Sequence, residues 1–313
     1  MGLALFYILI FPGFLFLGFL SLAFEFIDRK LYARLQNRVG PPWYQPLADL
    51  IKLAAKETVV PREAESRLFR AIPSFAMAAT AAAFLYIPIW GKTSLFPFDS
   101  DLIVILYFLT IPTLTFFLAG WFSSSLYAEI GCIRAMTQFF AYEVPLYMSL
   151  LGPAMLAGTW SVSGITEFYS SNPALALCNL PGLIVAVFAT QGKLERVPFD
   201  IPDAETEIVG GTFTEYSGRF LALFRMTIDA ELVVASALIA AVFLPFFIPA
   251  SPVFGFILFL IKVFIVVFLL ALMRTALARL RIDQMVGFCW RILAPLSLLQ
   301  VLIDLLVRGV LVS

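Results

Sequence analysis

The chain has 313 residues, 61% of them hydrophobic and 13% charged, with 21 acidic and 21 basic side chains. A soluble domain carries roughly 25% charged residues because its surface faces water. About half that share leaves too little polar surface for a water-soluble body, so lipid is the expected solvent. There is no His, which removes the commonest zinc ligand and the usual neutral-pH acid–base group. Cys132, Cys178 and Cys289 stand far apart, in or beside apolar runs, unlike the clustered thiolates of zinc and iron–sulfur sites. The expectation is a chain with no metal or cofactor of its own and no nucleic-acid partner. Proton chemistry then falls to carboxylates and lysines.

A membrane span needs about 20 apolar residues to cross roughly 30 Å of hydrocarbon. Eight stretches qualify, at about 3–25, 68–90, 101–122, 135–158, 174–191, 222–248, 253–273 and 288–310; the fifth is short and carries Pro181. The pattern predicts an all-α integral membrane protein, a single membrane domain over 1–313 with about eight transmembrane helices. The apolar N-terminus lacks a basic n-region and a small-residue cleavage site, so it reads as a retained helix. No internal repeat of the kind found in many secondary transporters is evident.

Basic residues orient the spans. The connection after the first carries Arg29, Lys30, Arg34, Arg38, Lys52, Lys56, Arg62 and Arg67. Lys193, Arg196 and Arg219 follow the fifth span, and Arg274, Arg279 and Arg281 the seventh. The connections at about 159–173 and 249–252 hold neither Lys nor Arg. Basic loops stay in the cytoplasm. The long loops of about 28–67 and 192–219 are therefore expected there, in a cell-membrane protein with both termini outside. Within the first loop, residues 46–57 place Leu47, Leu50, Ile51 and Leu53 mainly on one helical face, with Asp49, Lys52 and Lys56 on the other. Pro46 suits a first helical position, and the segment reads as an amphipathic helix lying along the membrane surface.

A charge inside a span costs roughly 2.5–3.5 kcal/mol on insertion scales, so each one needs a reason. Glu143 lies in the apolar stretch 139–146, with no cation three or four residues away. It must be protonated or meet a partner or water from another helix, which suits a group that takes up and releases protons. Asp229 and Glu231 enter the sixth span. Arg225 stands one turn before Asp229 and is its simplest partner. Glu231 has no comparable partner in sequence. Lys262 is mid-span in the seventh and is expected to face the bundle interior, towards a carboxylate or water.

Residues 195–216 gather Glu195, Asp200, Asp203, Glu205, Glu207 and Glu215, with Arg196 almost the only cation. Pro198 and Pro202 block a regular helix at the start, and Gly210 and Gly211 permit a sharp turn near the end. Val197, Phe199, Ile201, Ile208 and Val209 alternate with the acids, so the segment is expected to fold back against the bundle. Acids packed at a bundle mouth raise one another's pKa and can feed protons inward.

These segments carry a resemblance. Asp28-Arg29-Lys30, Ala33-Arg34 and Gln36-Asn37-Arg38-Val39-Gly40-Pro41 lead into Gln45-Pro46-Leu47-Ala48-Asp49-Leu50-Ile51-Lys52-Leu53 and Lys56-Glu57. Further on stand Tyr142-Glu143-Val144, then Pro198-Phe199-Asp200, Asp203-Ala204-Glu205, Glu207 and Glu215-Tyr216. Together they resemble the ordered motifs of the subunit 1/H family of respiratory complex I and its relatives in membrane-bound, energy-converting NiFe hydrogenases. Asp28 stands where the family usually has Glu. The family's acidic residue at the start of the sixth core helix aligns with Ile228, and Asp229 follows one position later. Only Pro42-Trp43-Tyr44 separates Gly40-Pro41 from Gln45-Pro46, which resembles the hydrogenase-type members.

The resemblance implies a membrane subunit whose acidic cytoplasmic loops lie under a peripheral module holding Fe–S clusters and, in hydrogenases, NiFe. Ferredoxin oxidation there would drive proton or sulfane reduction, coupled to H⁺ or Na⁺ transport through antiporter-like membrane subunits. The proton or ion pathway is expected to use Glu143, Asp200, Asp203, Glu205, Glu207, Glu215, Asp229, Glu231 and Lys262. Arg29, Lys30, Arg34, Arg38, Asp49 and Lys52 are expected to dock the module. The other readings are a quinone-chamber subunit of a complex I-like dehydrogenase and a stand-alone secondary transporter.

Overall fold

Hydrocarbon offers no hydrogen bonds, so an apolar run that enters it must close its backbone bonds internally, as a helix. A computed structural model of the chain describes residues 2–90, 93–202, 205–245 and 251–312, with side chains described except at 2–4, 205, 206, 311 and 312. Among the described residues there is no strand. Eight stretches are helical, long and apolar enough to cross a membrane: Leu5–Leu35, Ser66–Leu85, Asp101–Trp121, Leu126–Ala157, Pro173–Lys193, Gly218–Phe243, Pro252–Ala276 and Ile282–Val310.

The elements in order are α1 (Gly2–Leu9), α2 (Phe14–Leu35), α3 (Gln45–Ala55), α4 (Ser66–Leu85), α5 (Asp101–Trp121), α6 (Leu126–Ala157) and α7 (Val162–Ser171). They continue with α8 (Leu180–Lys193), α9 (Glu205–Ile208), α10 (Gly218–Phe243), α11 (Pro252–Ala276), α12 (Ile282–Phe288) and α13 (Ala294–Val312). α10 is the axis: residues 230–240 are all buried, and α2, α3, α4, α8 and α11 pack around it. The outer helices keep apolar faces exposed, as at Phe19 (70%), Val253 (73%) and Leu306 (72%), which is what a lipid-facing surface requires.

Several boundaries differ from the sequence expectation, each for a local reason. The first span breaks at Pro12 and Gly13 and then runs on to Leu35, so Arg29, Lys30 and Arg34 stand on a helix rather than in a loop. α4 stops at Leu85, just short of Pro88, because the residue before a proline is pushed out of the helical region. α6 begins at Leu126, since Glu129 and Arg134 extend it past its apolar stretch. Pro181 does not interrupt the fifth span. It sits in the first turn of α8, where its missing N–H costs nothing, after a 3-10 turn over Pro173–Asn179.

The segment after α8 folds back into the bundle, as its alternating pattern implied. Phe199, Ile201, Ile208, Phe213 and Tyr216 are all buried. Gln138 of α6 donates from one amide nitrogen to the carbonyls of Gly192 (2.7 Å) and Phe199 (2.8 Å), pinning the start of the segment. At its end Tyr216 stacks on Phe69 of α4 with ring centroids 3.9 Å apart, while Phe213 packs edge-on to Phe116 of α5. Between these anchors the backbone at Gly211 and Thr212 runs directly against α6. A Cβ on Gly131 would lie 2.7 Å from Gly211 C and Thr212 N.

That approach leaves no room for a methyl group, and overpacking of this kind costs about 1–3 kcal/mol. Gly131→Ala is expected to lower the melting temperature and to speed amide hydrogen exchange across 208–216 more than in α10. Unchanged exchange in that segment would show that the contact does not hold the loop.

Candidate functional site

Two polar clusters lie inside the bundle on either side of α10. The first lines a cavity of about 660 Å³, open to the end of the bundle where α3 and the 194–217 segment lie. Eleven of its twenty lining residues are charged. Their pairings are long-range. Asp28, almost fully buried on α2, accepts from Arg196 at 2.6 Å and from Arg274 of α11 at 3.3 Å. Arg196 also reaches Glu25 at 3.2 Å. Arg29 pairs with Glu25 one turn back and with Asp49 of α3 at 3.0 Å. Burial alone would push the Arg196 guanidinium down, but Asp28 and Glu25 outweigh it and hold it above its ordinary value. At Asp49 slight burial opposes ionisation, yet hydrogen bonds from Arg29 and Gln45 hold the carboxyl below the usual range.

Asp229 of α10 faces this cavity and lies within hydrogen-bonding reach of Glu25. The two carboxyl groups share this wall with the Arg29 and Arg196 guanidiniums, both of which pair with Glu25. The partner expected from sequence, Arg225, lines the same cavity, while Arg196 and Arg29 supply the opposing charge at Asp229.

The second cluster is buried at mid-bundle. Lys193, the last residue of α8, is 3% exposed and sits 2.9 Å from Glu231 of α10, which is 0% exposed. The ammonium also donates to the Leu109 carbonyl and to Thr113 Oγ1 (3.2 Å) of α5, and Thr113 in turn contacts Tyr142 Oη of α6 at 3.1 Å. Glu143 joins from the next position on α6, hydrogen-bonded to Tyr147 one turn on and within electrostatic reach of Lys193. Half-buried Glu143 thus approaches the buried Lys193–Glu231 pair, the three residues coming from three helices.

The remaining predicted residues are scattered. Asp200 is held at the cavity rim by Arg279, Nε to Oδ1 at 3.1 Å. Glu207 is half exposed and pairs with Arg134 at 2.5 Å, away from both clusters. That guanidinium keeps its carboxyl below the ordinary Glu range. Glu215 is half-buried between Phe213 and Tyr216. Asp203 and the side chain of Glu205 lie outside the described residues. Of the two partners expected for Lys262, a carboxylate or water, no carboxylate meets it among the described residues. It is half-buried at the edge of the exposed face of α11, with no ion pair among the described residues. Of the docking set, Arg29 and Asp49 belong to the cavity wall, and Lys30 bonds the Pro41 carbonyl at 3.4 Å. Arg34, Arg38 and Lys52 are exposed. Among the described residues no group of three His, Cys, Asp or Glu side chains is placed to hold a metal ion.

Sequence reasoning misses Glu25 and Lys193. Glu25 is a charge among apolar neighbours, the same signal that singles out Glu143. Lys193 reads as a loop residue because the fifth apolar run ends at 191.

Removing one member of a buried pair strands the other charge at a cost of about 3–5 kcal/mol. Glu231→Leu and Lys193→Met are each expected to destabilise the folded chain by that order. The double replacement should recover most of the loss, and a thermal-melt double-mutant cycle measures the coupling. Additive losses would show that the two charges do not act as a pair. Glu207 supplies a pH dependence. Its folded-state carboxyl is depressed, so the pairing with Arg134 is present in full above the ordinary Glu range and is lost as pH falls through the lowered value. Hydrogen exchange at 207–209 should rise only below that range, and Arg134→Gln should move the onset to higher pH.

Comparison with known proteins agrees with this geometry. The family model described as NADH dehydrogenase matches residues 7–305. The chain is 34% identical to the NADH-quinone oxidoreductase H-subunit of Dehalococcoides mccartyi (strain CBDB1), over 95% of this chain and 84% of that one. It is 35% identical to NADH-quinone oxidoreductase subunit 8 of Thermus thermophilus, over 90% and 80% respectively. Among solved structures it superposes on a chain of the membrane-bound sulfane sulfur reductase, an archaeal respiratory membrane complex, with a TM-score of 0.86 and 25% identity, covering 97% of this chain and all of that one. The apolar eight-span bundle, the ordered charged motifs and these matches agree: the chain belongs to the NADH dehydrogenase subunit 1/H family, the membrane subunits of complex I-like oxidoreductases.

Proposed function

We propose that this subunit couples ferredoxin-linked redox chemistry in a peripheral hydrogenase-like module to the movement of protons or sodium ions across the membrane. The observation that carries the reading is the approach of half-buried Glu143 to the buried Lys193–Glu231 pair in a bundle whose loop segment reaches in from one face. The basic connections argue that this face is cytoplasmic, with both termini outside. On this reading Arg34, Arg38 and Lys52 meet the module, whose Fe–S clusters and NiFe centre carry the electrons. Turnover beside the membrane changes the charge or position of the acids in 200–215. Protons then redistribute through Glu215, Glu231 and Glu143 towards antiporter-like partner subunits. Lys262 enters only through a carboxylate or water supplied by a neighbouring subunit.

The alternative is a quinone chamber, and the cavity is the place for it. Small-molecule sites are lined mainly by apolar and aromatic side chains with a few polar anchors. A wall in which eleven of twenty residues are charged, with Arg196 paired to both Glu25 and Asp28 of α2, favours the hydrogenase or sulfane-reductase type. Metal analysis of the companion subunits, with a quinone-analogue binding assay on the intact complex, separates the two.

Glu143→Gln keeps shape and hydrogen bonding while removing the titrating proton. The complex is expected to assemble with its redox centres intact and to pass electrons to a soluble acceptor. Redox-driven ion translocation should fall at least tenfold. An unchanged ion-to-electron ratio would make Glu143 a structural residue and remove the relay.

A further inference from the structure

A third buried polar group lies near the opposite end of the bundle, and neither of the two clusters uses it. Asp304 of α13 is 0% exposed, and no cation pairs with it among the described residues. Arg308, one turn on, instead donates to the Met155 carbonyl of α6 at 2.7 Å. Gln300, one turn back and also fully buried, donates from Nε2 to Asp304 Oδ2 at 3.3 Å. Asn179, with its amide nitrogen facing the carboxylate, lies 3.2 and 3.3 Å from its two oxygens, and its Oδ1 accepts from Tyr169 Oη of α7 at 2.8 Å. Glycines make the room. A Cβ on Gly152 of α6 would lie 2.7 Å from Asp304 Oδ2, and one on Gly182 of α8 only 1.7 Å from Gln300 Oε1. α6 and α8 thus bring backbone and no titratable side chain to the site. The groups facing Asp304 are Asn179, Gln300, Tyr169 (with the Cys178 thiol beside it) and Arg308.

An ionised carboxylate here has only amide donors to replace water, which offsets part of its desolvation and no more. Gln300 Oε1 is meanwhile buried without a partner. A proton on Asp304 removes the uncompensated charge and makes the acid a donor. With Asp304 protonated and the Gln300 amide turned over, the acid donates to Gln300 Oε1 across the 3.3 Å contact. Asn179 donates to the same oxygen across the contact of 3.2 Å. The same heavy atoms therefore support two hydrogen-bond settings, one for each protonation state, and amide rotation converts them. A hard metal ion held at about 2.3–2.6 Å needs its oxygens spread around it, whereas these side chains already touch one another.

We propose that Asp304 is a proton-exchange site of the outer half of the bundle, loading one proton from within and releasing it to water beyond α13 (COOH to COO⁻ plus H⁺). Gly152, against which it rests, is nine residues past Glu143 on α6, about 14 Å further out. The direction of release rests on the orientation given under Proposed function; the existence of the site does not. Infrared difference spectroscopy on the purified intact complex, with pH steps in H₂O and D₂O, tests it. The wild type should show a free-acid carbonyl band that moves in D₂O and is absent from Asp304→Asn. That variant should take up one proton fewer per complex on acidification. If Asp304→Asn does not assemble, Gln300→Met keeps the carboxyl but removes its acceptor, and the band should shift. A band unmoved in Gln300→Met, or an unchanged band and proton count in Asp304→Asn, would overturn the site. The band is read without ion translocation, so it decides Asp304 even where Glu143→Gln transports normally.

Discussion

The buried pair of Lys193 and Glu231 is the contact on which the rest of the interior depends. α8 ends at Lys193, deep in the bundle, where a helix terminus normally has no water to meet its last carbonyls and no countercharge for an ammonium. Glu231 supplies the charge and, with the Leu109 carbonyl and Thr113 hydroxyl, the acceptors for the ammonium, while Gln138 donates to the last-turn carbonyl of Gly192. Because that end is satisfied, the chain can stop its span early and send a polar segment back through protein rather than lipid. Irregular backbone at membrane depth is tolerated only under such cover. Buried Phe199, Ile201 and Phe213 provide the apolar side of it, and Gln138 provides the polar side.

The cavity follows from the same arrangement. The returning segment brings Arg196 against α2, where Asp28 and Glu25 await a cation, and the long reach of α2 beyond its apolar stretch puts Arg29 beside Asp49. The result is a chamber walled by mutually paired ions. Each pair lowers the cost of its members, and the cations are shared: Arg196 serves Glu25 and Asp28, which also meet Arg29 and Arg274 respectively.

How much of this was legible depends on range. The helices were, because a 20-residue apolar run is a local signal, and so was the return of 195–216, because its alternation of acids with large apolar residues is local too. The partners were not. Asp28 and Arg274 are 246 positions apart, and nothing near either one names the other. Helix ends were legible only in part: Pro88 and Pro181 have steric meanings that a hydropathy pattern alone does not weigh. Glu25 and Asp304 were readable in principle, being charges inside apolar runs like Glu143. Lys262 shows the converse, a mid-span charge whose answer is not on this chain's described residues.

The anchoring of the 194–217 segment has a mechanical consequence. Three of its attachments to α6, Gln138 at the entry, Arg134 paired with Glu207 and Gly131 at the close backbone approach, lie within seven residues on one helix, about 10 Å along its axis. A push delivered to the loop from outside therefore cannot be absorbed as local slack. It falls on α6, a helix of 32 residues whose mid-length bears Glu143 and whose far portion packs against α13.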